Sequence, residues 1–297
     1  MHYNSYTNDS IQTEYPSLPT QTRAAALELV DVGVNLPHDS FDHDRDSVIE
    51  RAAAAGVARM VITGSSIVST HAAIDLVRRS PARFRCTAGV HPHHAAEFDA
   101  AQLSELSNLA RHPEVVAVGE CGLDYYRNLS PHDAQVRAFR EQLALAVELQ
   151  KPVFLHQRDA HEEFLAIMRD YRPRLAGGVA HCFTAGAAEA RAYVELDLYI
   201  GITGWICDER RGLHLREVVR EVPADRLLIE SDAPYLLPRD MQPRPPSRRN
   251  EPAYLPNVLR AIASARGDSP EELAAVTTRN ALAFFNWRDE NEAVSGW

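Results

Sequence analysis

A single-domain α/β fold, a (β/α)8 TIM barrel, is what this sequence predicts, and three observations predict it. Short β-branched or apolar runs alternate with longer segments of helical period, the signature of βα units joined into a parallel sheet. The alternation repeats eight times along the chain. The 297 residues also suffice for the roughly 250 that such a barrel needs, with some left for tails.

In order, the strand candidates are residues 27–35, 59–65, 84–91, 115–124, 152–158, 177–183, 197–205 and 226–233. Several are apolar at nearly every position, as a strand covered on both faces requires. Between them, residues 44–56, 69–79, 101–111, 131–150, 160–170, 187–196 and 209–221 space apolar residues three and four apart and read as outer helices. After the eighth strand comes a loop carrying Pro238, Pro243, Pro245 and Pro246 among Arg239, Arg244, Arg248 and Arg249. Two more helices follow over 256–265 and 270–285, with Gly267 ending the first and Ser269-Pro270 opening the second. The last is expected on the outside of the barrel. The barrel then covers residues 27–286, with 1–26 read as a disordered N-terminal tail and 287–297 as a C-terminal tail. No repeat at a solenoid period is visible.

Composition narrows the function classes. Hydrophobic residues make up 45% and charged residues 24%, which suits a soluble protein with a sizeable core. No apolar run approaches the ~20 residues that span a bilayer, so no membrane partner is expected. Residues 1–21 lack the basic and apolar regions of a secretory signal. Cys86, Cys121, Cys182 and Cys207 are widely spaced, which reads as reduced thiols in the cytoplasm. A net charge of −10 excludes a protein that coats nucleic acid through a broad basic surface, but not an enzyme gripping a few phosphates.

The chemistry lies at the carboxyl ends of the strands, which a parallel barrel gathers on one face. Taken in order these ends offer His91 and His93, Glu120 and Asp124, His156, His181, and Asp232. Imidazoles mixed with carboxylates bind Zn²⁺, Mn²⁺ or Mg²⁺, oxygen-rich sets favouring the harder ions. Such ions acidify water and stabilise charge on a phosphoryl oxygen, and Asp232 is placed to accept the water's proton. Hydrolysis of a phosphodiester or of an amide would be served equally.

Any one of these histidines, taken alone, reads as readily as a hydrogen-bonded residue of the barrel mouth. Their joint placement on five strand ends favours the metal site. His71, His112, His132, His161 and His214 fall in helices or turns and read as solvated or capping residues. Cys121 and Cys182 adjoin the proposed ligands and read as small buried residues. The arginine loop must cross the metal-bearing face, and guanidinium forks bind phosphate oxygens in pairs. Trp205 and Tyr235 stand at strand ends where they would stack on a base or pack the rim.

The blocks around these residues are DVGVNL at 31–36, TAGVHPH at 87–93, VGECGLDYYRN at 118–128, PVFLHQRDAHE at 152–162 and HCFTAG at 181–186. YIGITGWICDERRG at 199–212, LLIESDAPYLLPRD at 227–240 and SRRNEPAYLP at 247–256 complete the series. Together they resemble, in order and over roughly residues 29–286, the TatD family of metal-dependent deoxyribonucleases among the amidohydrolase-type barrels. The resemblance implies two divalent ions, usually Mg²⁺ with Mn²⁺ or Zn²⁺ as alternatives, and 3′→5′ exonuclease activity on ends of single-stranded DNA or RNA. Residue by residue it implies Glu120, His156, His181 and Asp232 as metal ligands, with Glu120 and Asp232 catalytic. His91 and His93 would lie beside the scissile phosphate, and Arg158, Arg248 and Asn250 would be substrate or rim contacts. A monomer acting in DNA repair or turnover is the matching expectation.

One departure stands out. Many barrel hydrolases of this kind carry an HxH pair after the first strand, whereas this chain has Gly33-Val34-Asn35, a form that also occurs within a subgroup of the family. Loss of two imidazoles weakens one metal site, so the second ion is expected to be held loosely without substrate. The competing functions are a metal-dependent amidase or lactonase, and a binding protein that has kept the barrel without turnover.

Overall fold

The computed structural model describes residues 28–287; the expected N-terminal tail and residues 288–297 lie outside the described residues. Eight parallel strands pair in chain order: β1 Leu29–Val34, β2 Val57–Ile62, β3 Phe84–Ala88, β4 Val115–Asp124, β5 Val153–Arg158, β6 Gly178–Ala180, β7 Tyr199–Ile202 and β8 Leu227–Ile229. The helices are α1 Arg45–Ala54, α2 Ile67–Arg79, α3 Ala100–Ala110, α4 His132–Leu149, α5 His161–Tyr171, α6 Ala187–Glu195, α7 Leu215–Glu221, α8 Leu255–Arg266 and α9 Pro270–Phe284. This is the predicted (β/α)8 TIM barrel, with every predicted strand and helix present.

The barrel closes past the end of β8 rather than along it. Asp232 donates its backbone N–H to the Gly33 carbonyl at 2.8 Å, and Asn35 donates to the Ala233 carbonyl at 2.8 Å. Between them the Asp31 carboxylate of β1 accepts the Ser231 N–H at 2.8 Å, a side chain taking the place of a ladder bond. The seam therefore joins the two strand ends that carry Asn35 and Asp232.

Two cores hold the layers. The larger lies between strands and helices, where Val34, Ile62, Cys86, Leu155 and Ile202 meet Val77, Leu143, Phe164 and Leu259. The smaller one joins Val30, Val32, Val61, Ala117, Phe154, Val179 and Leu228 of the strands to Ala281, Phe285 and Trp287. Apart from Phe154 these strand residues are small or branched, which suits a narrow barrel. The end of α9 thus packs against barrel residues, with Trp287 lying under the guanidiniums of Arg59 and Arg85. As the sequence predicts, the last helix lies outside the strands, against β1 and β8, and the rings of Phe284, Phe285 and Trp287 at its end, two of them buried, join this smaller core.

A difference from the sequence reading lies before α7. Helical period begins at residue 209 in the sequence, but the helix starts at Leu215. Asp208, 2% exposed, accepts the Arg210 N–H at 2.9 Å and takes the Arg211 guanidinium at 2.9 Å, while its carbonyl accepts from Gly212. These local bonds hold residues 208–212 in a turn that competes with helix.

Candidate active site

Local backbone chemistry aims the central carboxylate. Gly119 and Gly122 flank Glu120 with φ of +133° and +146°, and a Cβ at either would lie 2.1 and 1.9 Å from a carbonyl oxygen of β5. Only glycine fits there. The β4–β5 register shifts between Val118 and Cys121, so the even alternation of side chains breaks at Glu120. Glu120 lies inside β4 rather than after it, because the strand runs unbroken to Asp124.

Glu120 Oε1 is the hub. It lies 3.0 Å from His156 Nδ1, 3.4 Å from His91 Nε2 and 3.5 Å from His181 Nε2. Burial opposes its charge, but the surrounding His91, His181 and His156 rings hold the carboxyl well below the usual range. Glu120 is therefore an anion.

Two of the three rings are pinned from behind. His181 Nδ1 lies 2.7 Å from Glu230 Oε2, and His156 Nε2 lies 3.3 Å from Asp124 Oδ2. Each carboxylate fixes a proton on its nitrogen and leaves the other nitrogen's lone pair facing Glu120. An oxygen anion and a nitrogen lone pair facing each other at 3.0–3.5 Å need a cation or a proton between them. Burial pulls the His181 pKa down, yet Glu230 and Glu120 outweigh it and hold the ring up at about 10. His156 is raised against burial by Asp124 and Glu120.

His91 differs from these two. Its Nδ1 accepts the His93 N–H at 3.1 Å, which places the ring proton on Nε2, toward Glu120. Burial pushes its pKa down to about 4, so the ring is neutral and a donor to the hub. His93 Nε2 meets Asp124 at 2.8 Å, and Asp124 also accepts the Arg127 N–H at 2.8 Å. Against the effect of burial, bonds from His156, His93 and Arg127 keep Asp124 ionised far below its usual range.

Asp232 stands across the cavity. Its Oδ1 accepts from Asn35 Nδ2 at 3.1 Å. Burial pushes its pKa up to about 7; His181 opposes the rise, and the Glu120 and Glu230 charges add to it. Two donor sets are close enough to share a cation: His91, Glu120 and His156, and His181, Cys182 and Asp232, each with ligand atoms within 4.8 Å of one another.

A cavity of about 570 Å³ opens over this cluster. His91, His93, Glu120, His156, Arg158, His181 and Asp232, all singled out from the sequence, line it. Arg248 does not line it and is exposed on its loop. Arg249 is bound to Asp44 at 2.7 Å and Glu251 at 2.8 Å, and Arg239 meets Glu209 at 3.3 Å, so these two fasten the loop to the barrel. Asn250 is buried and donates to the Ser231 carbonyl at 2.8 Å. The guanidiniums that reach the cavity are Arg127 and Arg158, the latter 3.8 Å above the Tyr126 ring. Trp205 lines the wall beneath the Arg211 guanidinium, and Tyr235 lies at the rim, 52% exposed. His71, His112, His132, His161 and His214 line no part of it, as the sequence reading has them.

Glu230 is the residue that sequence reasoning missed. It is fully buried, and besides His181 its other oxygen accepts the Cys182 N–H. A Cβ on Gly33 or on Gly201 would lie 2.6 Å from its carboxylate, so both glycines make room for it. The signal was present: a carboxylate two residues past Leu228, on the inward register of a strand whose neighbours present glycine. Glu230 also explains Gly33, since the space that an imidazole would need there is occupied by this side chain and by Phe154.

Known proteins match most of the chain. A family model described as TatD related DNase matches residues 30–286. A protein of Erwinia tasmaniensis named 3′-5′ ssDNA/RNA exonuclease TatD is 53% identical over 258 residues, spanning 87% of this chain and 100% of its own length. Its namesake of Salmonella typhimurium is 52% identical over 257 residues, spanning 86% and 98%. Among solved structures, YJJV, a TatD homolog from Escherichia coli, superposes with a TM-score of 0.81 at 26% identity, covering 89% of this chain and all of that one. With a family match that spans the barrel and every strand end contributing to the cavity, this chain belongs to the TatD-related DNase family.

Proposed function

We propose that the chain is a metal-dependent 3′→5′ exonuclease that hydrolyses phosphodiester bonds at the ends of single-stranded DNA and RNA, in DNA repair or turnover. One observation carries the metal dependence: His156 and His181, each pinned by a buried carboxylate, turn their second ring nitrogens onto the same oxygen of Glu120, where a divalent ion takes the place of a proton. Relatives more than half identical and named as 3′-5′ ssDNA/RNA exonucleases supply the reaction and the substrate. The activity for which those relatives are named disfavours the amidase or lactonase reading.

In this reading Glu120, His156, His181 and Asp232 hold two divalent ions, Mg²⁺ before Mn²⁺ or Zn²⁺ because half of these donors are carboxylates. The ions supply Lewis acidity, acidifying water and neutralising charge on the phosphoryl oxygens. The residues do the rest. Asp232 keeps one oxygen on Asn35 and has no described partner on the other, so that oxygen takes the proton of the attacking water. His91, neutral and with a proton on Nε2, donates to the hub or to a phosphate oxygen, and His93 stands next to it with a ring separation of 4.1 Å. Arg158 and Arg127 bind backbone phosphates, while Tyr126, Trp205 and Tyr235 offer faces to the bases. Arg248, exposed at the loop, contacts the strand outside the cavity. No described helix is long and apolar enough to cross a membrane. A cytoplasmic monomer fits this reading.

The test is mononucleotide release from 3′-labelled and 5′-labelled single-stranded DNA in Mg²⁺, with the intact protein, Glu120→Ala and Asp232→Ala. Label should leave from the 3′ end, stop in EDTA, return with Mg²⁺ or Mn²⁺, and be lost in both variants. EDTA-insensitive cleavage would count against the metal mechanism. Lactone turnover without phosphodiester cleavage would promote the alternative.

A further inference from the structure

A second polar cleft lies away from the candidate active site, between α7, α8 and the loop that follows β8, with a volume of about 510 Å³. Its lining includes three guanidiniums, Arg216 and Arg220 of α7 and Arg260 of α8, against one carboxylate, Asp240. All three arginines are exposed. Arg220 donates to the Ala265 carbonyl at 2.6 Å, and Arg260 bonds the Asn257 side-chain oxygen, so both spend their bonds on neutral acceptors. Arg216 makes no hydrogen bond or ion pair with a described residue. None of the three is in a salt bridge with a described residue, whereas Arg51, Arg172, Arg226, Arg239 and Arg249 elsewhere on the surface all are.

Three guanidiniums lining one cleft with a single carboxylate make it locally positive on a chain whose net charge is −10, and a local positive potential draws anions. Planar donors in this number suit an anion with several oxygens, the geometry of phosphate groups. Gln242 and Asn257 add amides to the lining, and both sources of an uncharged donor are what a nucleotide's remaining oxygens and base edges would meet. The loop links this cleft to the cavity over Glu120: Leu236 lines that cavity and Asp240 lines this one. Four residues of chain span at most about 14 Å.

We propose that the cleft bounded by Arg216, Arg220 and Arg260 binds the phosphate groups of a nucleotide, separately from the candidate active site. Two sources carry that chemistry, a free mononucleotide and the backbone of a bound single strand.

The experiment uses the full chain and needs no turnover, so its failure is separate from failure of the exonuclease reading. Equilibrium dialysis with labelled pyrophosphate in EDTA would compare the intact protein, Arg216→Gln/Arg260→Gln, and Arg158→Ala as reporter of the other cavity. The double substitution should weaken binding about tenfold or more, at an unchanged melting temperature because neither arginine holds an ion pair. Lysine in place of both arginines should retain part of the affinity. Displacement of pyrophosphate by dAMP would identify a free nucleotide as occupant; displacement that strengthens with oligonucleotide length would identify the strand. No binding by the intact protein, or binding that is lost with Arg158→Ala and not with the double substitution, overturns the proposal.

Discussion

The two halves of the candidate active site are built differently. On the β4–β6 side, Glu120 faces His156 and His181, and Asp124 and Glu230 fix each ring from behind. On the β1–β8 side, Asp232 is held by one neutral amide, Asn35, and the position where an imidazole would enter is Gly33, packed against Glu230. The first half has its donors in place before any ion arrives. The second offers a carboxylate whose pKa is pushed up to about 7, an acid still half protonated near neutrality. Ion affinity follows preorganised donors and their charge, so the halves should hold ions unequally.

The strongest way to break that comparison is to remove one carboxylate from each half. Glu120→Ala takes away the oxygen shared by both rings and should abolish tight metal binding and lower turnover by about 10⁴-fold. Asp232→Asn keeps shape and the Asn35 contact, and should retain one tightly bound ion while turnover falls about 10²–10³-fold. Metal analysis of dialysed protein beside the labelled-end assay decides this. Equal loss of ions in both variants would show that the halves are one site.

A smaller effect tests the backing carboxylates. Glu230 serves two donors, His181 Nδ1 and the Cys182 N–H. Glu230→Gln keeps the volume but turns one oxygen into an N–H donor, so one of those partners meets a donor instead. Metal affinity on the β4–β6 side should fall about 10–100-fold, and stability by about 1–3 kcal/mol. Titration calorimetry with Mn²⁺ measures the first and denaturant unfolding the second. An unchanged affinity would mean that the ring keeps its orientation from packing against Phe154, 4.5 Å away between centroids.

What the sequence reveals divides along the same line. Strand ends bearing His91, Glu120, His156, His181 and Asp232 were legible because each is a polar residue ending or interrupting an apolar run, and a parallel barrel brings such ends together whatever the loops do. Bounds were sharpest for β4, whose glycines and carboxylates still read as a strand over residues 115–124. β6, β7 and β8 are shorter than their apolar runs because those runs continue into loop, at His181, Thr203 and Ser231, where pairing stops. The role of the arginine loop was not legible. Arg249 faces Asp44, 205 positions away, and no local pattern announces such a pair. Glu230 escaped because its meaning depends on Gly33 and Gly201, two strands that only the closed barrel brings beside it.

The last test concerns the seam beneath the weaker half and reads stability rather than turnover. Asp31 is fully buried; its Oδ1 accepts from Gly33 at 3.3 Å and Ser231 at 2.8 Å, and its Oδ2 has no hydrogen-bond partner among the described residues. Burial pushes its pKa from the ordinary 3.8 up to about 7, opposed by the Ser231 and Gly33 bonds and aided by the Glu230 charge. Between these values the folded chain keeps a proton that the unfolded chain has released. The stability that Asp31 provides is therefore complete below the unfolded pKa and is lost as pH rises through the folded one, a span worth about 4 kcal/mol at 1.36 kcal/mol per unit. Asn at this position has the same shape and no titration. In EDTA, denaturant unfolding from pH 4.5 to 7.5 should show the intact protein losing about 3–4 kcal/mol relative to Asp31→Asn across the window. Asp232 titrates in both proteins and cancels from the difference. Parallel curves would mean that the seam holds Asp31 as an anion, with the two N–H donors outweighing burial; the weaker half would then rest on a fixed negative charge and should hold its own ion more tightly than the comparison predicts.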